Sequence, residues 1–162
     1  MELIRGLHNI QPRHRGCVLT IGNFDGVHLG HQRVLQAVVE QAKKQSLPSV
    51  VMLFEPLPIE YFAPENAPVR LMNFREKVKA LQGSGIDYVL CVRFNRVFSA
   101  LSAEQFVQTI LVDGLNVKHL VVGDDFRFGQ QRQGDFIYLN NSGKALGFSV
   151  THMPTFNVAG KR

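Results

Sequence analysis

The chain has 162 residues, 45% of them hydrophobic and 19% charged, with 18 basic and 13 acidic side chains for a formal charge of +5. That length accommodates one domain with a substantial core, and that balance excludes a disordered segment. The positive excess suits an anionic ligand, but Lys and Arg are scattered without a run of four, so no nucleic-acid partner is expected. Cys17 and Cys91 lie in or beside apolar runs, as small buried thiols of a reducing compartment do. No apolar span reaches about 18 residues, and Met1-Glu2-Leu3-Ile4-Arg5 lacks a signal-peptide core, so a cytoplasmic protein with no membrane partner is expected.

Residues 1–16, with Pro12, Gly16 and the basic triplet Arg13-His14-Arg15, read as a lead-in. That triplet reads as a solvated loop with a lesser prospect of touching phosphate. Cys17-Val18-Leu19-Thr20-Ile21 is a buried strand. From Arg33 to Lys44, Val34, Leu35, Val38, Val39 and Ala42 recur at helical spacing. Between them, Gly22-Asn23-Phe24-Asp25-Gly26-Val27-His28-Leu29-Gly30-His31 forms a strand-to-helix turn. The first turn of a helix presents unpaired N–H groups and a positive dipole end, both of which attract phosphate. Gly22, Gly26 and Gly30 leave room for a ligand against the backbone. His28 and His31, three residues apart, share a helix face and can donate to phosphate oxygens without acting as nucleophiles. The same pair could hold a metal, but no third ligand stands at a fitting spacing, so no metal-binding residues are expected.

Leu47-Pro48 breaks the helix before a second strand, Ser49 to Phe54. Pro56 and Pro58 then hold an extended, rigid lip. Phe62 beside it reads equally as a ring-stacking side chain and as a core plug. Residues 63–73 form a long loop in which Arg70 faces either anions or solvent. Phe74 to Gln82 reads as a helix stopped at Gly83-Ser84-Gly85, and Asp87 to Phe94 as a third strand. Asn95 to Leu101 is a link into the capping box Ser102-Ala103-Glu104-Gln105, whose helix turns Phe106, Val107, Ile110 and Leu111 inward. Lys118 to Val122 is a fourth strand. Its tail, Gly123-Asp124-Asp125-Phe126-Arg127-Phe128-Gly129, reads as a ligand loop, the plainer alternative being an Asp-rich turn capping the next helix. A helix opens at Gly134-Asp135, and Phe148 to Met153 is a fifth strand.

The alternation predicts an α/β fold: a Rossmann-like, doubly wound, parallel five-stranded sheet with helices on both faces. The segments after Ile21, Phe54, Phe94 and Val122 then converge on one crevice beyond the carboxyl ends of the strands. No GxGxxG string follows any strand, so hydride chemistry lacks support.

His28-Leu29-Gly30-His31 resembles the His-x-Gly-His signature of the adenylyltransferase and cytidylyltransferase superfamily. The longer Gly-Asn-Phe-Asp-Gly-Val-His string is similar to one branch, the N-terminal FMN adenylyltransferase (FAD synthetase) module of bacterial bifunctional riboflavin kinase/FMN adenylyltransferases. The resemblance implies transfer of AMP from ATP to FMN, giving FAD and pyrophosphate, with Mg²⁺ bridging the phosphates. It implies catalytic roles for His28 and His31 and an ATP site made of Gly22, Asn23, Phe24, Asp25, Gly26, His28, His31, Gly123 and Arg162. The flavin site it implies comprises Pro56, Pro58, Phe62, Phe106, Asp125, Phe126 and Phe128. Leu57 stands where many relatives carry His. A Ser-Ser-Thr-x-x-Arg segment beginning near Arg162, and a riboflavin kinase domain in cis that makes riboflavin a further substrate of the parent protein, are expected beyond this chain, which therefore reads as a fragment. The alternatives are a sister transferase acting on phosphopantetheine or nicotinate mononucleotide, and a flavin-nucleotide binding module without turnover.

Overall fold

The computed structural model describes residues 1–25 and 29–154, the side chains of Leu29 and Gly30 excepted. Six strands form one sheet: β1 (Glu2–Arg5), β2 (Val18–Ile21), β3 (Ser49–Glu55), β4 (Tyr88–Arg93), β5 (His119–Gly123) and β6 (Ser149–Met153). Their order is β1-β4-β3-β2-β5-β6 and every pairing is parallel.

The sheet therefore has six strands where five were expected. The additional one is β1, taken from the supposed lead-in, and it pairs Glu2 to Arg5 with Tyr88 to Cys91. Its anchorage explains the basic triplet. Arg13 donates to Glu2 Oε2 at 2.7 Å, and His14 Nε2 lies 2.9 Å from Glu2 Oε1. Arg15 instead donates to the Gly114 and Asp113 carbonyls. The triplet is not simply a solvated loop: with His14 buried, it fastens the edge strand and a helix end.

The helices are α1 (Leu29–Gln45), α2 (Pro58–Phe62), α3 (Phe74–Gln82), α4 (Arg96–Ser99), α5 (Ala103–Gln105) and α6 (Phe136–Leu146). α5 runs on into a π-helical stretch, Phe106–Gly114, where Leu115 N–H reaches the Ile110 carbonyl at 2.9 Å. Phe106, Val107, Ile110 and Leu111 of this stretch all lie in the core. The expected capping box is present, with Ser102 Oγ accepting from Gln105 N–H and Gln105 Oε1 accepting from Ser102 N–H. Two expected irregular stretches are helical. Pro58 begins α2, where a proline loses nothing because the first helical N–H has no partner, and the Asn95–Leu101 link contains α4, capped by the Asn95 side chain.

Both faces of the sheet are covered, as a parallel sheet requires. Val18, Val51, Leu53, Val89 and Val121 pack on one face with Leu35, Val38 and Ala42 of α1 and Leu81 of α3. Leu19, Ile21, Met52, Leu90 and Leu120 pack on the other with the π-helical stretch and Leu139 of α6. Each such buried aliphatic side chain contributes about 1.5–3 kcal/mol. The chain builds outward from β2 through β3 to β4, then crosses back to lay β5 on the other side of β2. Outside the carboxyl ends of β2 and β5 lies the switch point where ligands of such sheets bind.

Candidate active site

The turn after β2 is shaped by a residue that faces inward. Gly22 N–H is spent on the Met52 carbonyl at 3.2 Å, extending the β2/β3 ladder by one step. Asn23 is exposed. Phe24 then adopts φ +51°, a conformation few non-glycine residues hold, and drives its ring into the core, 4% exposed. His31, in the first turn of α1 and half-buried, sets its imidazole 5.0 Å from that ring. Gly26, His28 and Arg162, three of the expected ATP-site residues, lie outside the described residues.

Asp25 faces the loop of residues 63–73. Its carboxylate accepts the Leu71 amide at 3.0 Å and the Met72 amide at 2.9 Å. Burial pushes this carboxyl up, and the two amides with Lys77 and Arg70 outweigh it, so its pKa lies below the ordinary value. The Asp25 carboxylate is thereby satisfied by the loop behind the turn.

Arg70 does not face solvent or a free anion. Its guanidinium reaches Glu55 through Nη1 at 3.1 Å and Nη2 at 2.6 Å, and Glu60 through Nε at 2.7 Å and Nη2 at 2.5 Å. Glu60 also accepts the Leu57 amide, capping α2. The Arg70 bonds, over a smaller opposing effect of burial, hold the Glu60 carboxyl at about 2. Lys77 is buried nearby, and burial pulls its amine below the ordinary value.

The expected flavin residues meet along a line of rings. Phe62, 65% exposed on the lip, packs edge-on to Phe94 at 5.5 Å. Phe94 meets Phe98 at 5.5 Å, Phe98 meets Phe106 at 6.0 Å, and Phe106 meets Phe128 at 5.1 Å. Phe126 closes the line, stacked on Phe128 at 5.6 Å and 16°. The line thus joins the lip after β3 to the loop after β5. Within it, Phe106 is 2% exposed and Phe128 6%, so these two back the wall and Phe62 and Phe126 offer its accessible ends. Tyr61, Phe94 and Phe98 belong to the same cluster and were not foreseen. Phe98 sits at helical spacing after Asn95, the one local sign available.

Asp125 is exposed and folds its carboxylate back over Gly123, 3.4 Å from where a Cβ would sit there. Capping of α6 falls to Asp135, which accepts the Tyr138 amide at 2.8 Å, so the plainer reading of the acidic loop is not what the structure shows. Pro56 and Pro58 flank the buried Leu57 at the start of α2. Among the described residues, no group of three or more His, Cys, Asp or Glu side chains could hold a metal ion.

Fold and switch point together define a Rossmann-like, doubly wound α/β domain with the turn after β2, the lip after β3 and the loop after β5 at the carboxyl ends of its strands. A family model described as FAD synthetase matches residues 10–162, and the chain belongs to that family. It is 55% identical to the bifunctional riboflavin kinase/FMN adenylyltransferase of Escherichia coli strain K12 and 53% identical to that of Pseudomonas fluorescens, in each case over all of this chain and 52% of the relative. The Haemophilus influenzae counterpart is 47% identical, over 53% of its length. The chain thus spans about half the length of the curated relatives it matches. Among solved structures, one titled a macrolide-efflux protein from Streptococcus pneumoniae superposes with a TM-score of 0.80 at 27% identity, covering 94% of this chain and 49% of that one. No helix among the described residues is long and apolar enough to cross a membrane.

Proposed function

We propose that this domain transfers AMP from ATP to the phosphate of FMN, releasing pyrophosphate. The observation that carries the reading is the placement, on either side of one switch point, of a His-bearing strand-to-helix turn after β2 and an aromatic wall running between the ends of β3 and β5. A triphosphate suits the first and a broad flat ring the second.

In the reaction an FMN phosphate oxygen attacks the α-phosphorus of ATP in line. The new P–O bond forms as the bond to the bridging α–β oxygen breaks, and that electron pair leaves on pyrophosphate. Positioning and charge neutralisation supply most of the rate, because the leaving group is stable without a proton. His31, with His28 before it in the same motif, donates to phosphate oxygens as negative charge moves onto the leaving group. Helix-start amides add fixed positive dipole. Phe62 and Phe126 take the flavin ring, with Phe106 and Phe128 holding the wall behind them. Mg²⁺ comes bound to the triphosphate and neutralises part of its charge.

The relatives are named for a riboflavin kinase activity as well, the class of reaction that makes the FMN this domain consumes. The decisive experiment mixes the full-length natural protein with FMN, ATP and Mg²⁺ and follows FAD by chromatography. FMN-dependent pyrophosphate and FAD in equal amounts support the assignment. Pyrophosphate release with phosphopantetheine or nicotinate mononucleotide instead of FMN, or flavin binding without any release, would overturn it.

A further inference from the structure

The segment Arg70-Leu71-Met72 is held by both halves of the crevice at once. Its backbone amides at residues 71 and 72 are clasped by Asp25 of the turn after β2. Its Arg70 guanidinium forks onto Glu55, the last residue of β3, and Glu60 of α2, the helix that carries Phe62. Three consecutive residues span at most roughly 10 Å, so the phosphate turn and the ring-bearing lip are tied by a tether too short to let one move independently of the other.

Apolar burial does not hold this tether. Val69 and Leu71 on either side of Arg70 are 91% and 75% exposed, and the surrounding loop has no strand or regular helix. Its position is therefore set by polar anchors: three carboxylates, Asp25, Glu55 and Glu60, facing Arg70 and Lys77. Such anchors respond to charge. A polyphosphate entering the turn brings negative charge to the open side of Asp25, which strengthens the preference of its carboxylate for the amides and cations behind it. The strap tightens, and through Arg70 it fixes Glu60, α2 and Phe62.

We propose that Arg70 is a positioning residue that makes flavin binding at the lip depend on nucleotide at the phosphate turn. It touches neither substrate and acts through Glu55 and Glu60. This rests on the adenylyltransferase reading above and adds to it the route by which one substrate site reports to the other. Lysine cannot replace this arginine, since a point charge does not span two carboxylates in a fork.

The test uses the full-length protein and measures FMN affinity by flavin fluorescence, with and without a non-hydrolysable ATP analogue and Mg²⁺. In the unaltered protein the analogue is expected to tighten FMN binding at least about fivefold, the lower range of coupling between linked sites. In Arg70→Met, and to a large extent in Arg70→Lys, the ratio falls to within twofold of one while affinity for the analogue changes less than threefold. Steady-state turnover then shows a KM for FMN raised about tenfold with kcat within threefold. A merely structural role would lower the active fraction and leave the ratio intact. Glu60→Gln, which keeps side-chain shape, provides the same readout if Arg70→Met fails to fold. A ratio near one in the unaltered protein, or an unchanged ratio in the variants, overturns the strap while leaving the reaction assignment standing. Loss of FMN and nucleotide binding in the unaltered protein sinks both.

Discussion

His31 rests its imidazole against the ring of Phe24, 5.0 Å between centroids and tilted by 53°, so a core side chain sets the orientation of a residue in the crevice. Phe24 is held in turn by the backbone before it. A Cβ on Gly22 would stand 3.0 Å from the edge of the Phe24 ring. Gly22→Ala is expected to push that ring and with it the imidazole, destabilising the fold by roughly 1–3 kcal/mol, as overpacking does. FAD formation should drop by more than the melting curve accounts for. A variant with lowered melting temperature and full turnover at a temperature where it is folded would contradict this coupling.

Removing the imidazole itself acts on the transition state. His31→Ala is expected to cost roughly 2.7–4 kcal/mol of transition-state stabilisation, the range for loss of one preorganised donor. FMN should still bind, because the aromatic wall is untouched. Near-normal pyrophosphate release in this variant would remove His31 from the mechanism.

Gly134 lies directly under Phe128. A Cβ there would fall 2.3 Å from the ring's Cζ, while the two backbones exchange hydrogen bonds at 3.2 and 2.9 Å, so the ring must give way rather than the chain. Gly134→Ala is expected to raise the KM for FMN severalfold, with the KM for ATP nearly constant. Equal effects on both substrates would place Phe128 outside the flavin wall.

Acid should release the ties of the lip before it unfolds the sheet. Glu60 titrates at about 2 in the folded chain against an ordinary 4.5. Its lowered value means that the stability it contributes is complete above pH 4.5 and is lost as pH falls toward 2. Denaturant midpoints measured across that interval should fall more steeply in the unaltered protein than in Glu60→Gln. Parallel curves would show that the Arg70 bonds add no pH-dependent stability.

His119 gives a second, separate pH response at the opposite end of the sheet. Its two ring nitrogens lie 2.6 Å from Ser149 Oγ and 2.7 Å from Thr151 Oγ1. It floors a cleft of about 290 Å³ faced by Glu40 and Lys44 of α1. Burial pulls its pKa below 6.5. Stability tied to the neutral ring is thus full above pH 6.5 and declines as pH falls toward the lower folded value. Amide protection factors in β6, taken relative to intrinsic exchange at each pH, should fall across that interval, and His119→Gln should abolish the change.

Elements with strong local periodicity were legible in the sequence. Phe74–Gln82 is helical over the range its apolar spacing indicated, and the four central strands and the terminal one fall within a residue or two of the apolar runs that marked them. β1 was not legible, because only Ile4 of its four residues is fully buried and its partner lies more than eighty residues away. The π-helical turns were hidden because an inward Phe106, Val107, Ile110 and Leu111 satisfies an ordinary helix equally well. At the site, the rings of the lip and of the loop after β5 could be named individually, but not that Phe94 and Phe98 join them. Arg70 looked like any loop cation because Glu55 and Glu60 become its partners only when α2 forms and the loop folds back.

The row of rings from Phe62 to Phe126 carries one more implication. Phenylalanines have no polar atoms to lock their angles, so each ring is steered by the tilt of the next, as dominoes lean on one another. Shape selectivity for the bound ring system can therefore be retuned from the middle of the row. Phe98, half-buried in the middle of the row between Phe94 and Phe106, therefore bears on the shape that both ends present.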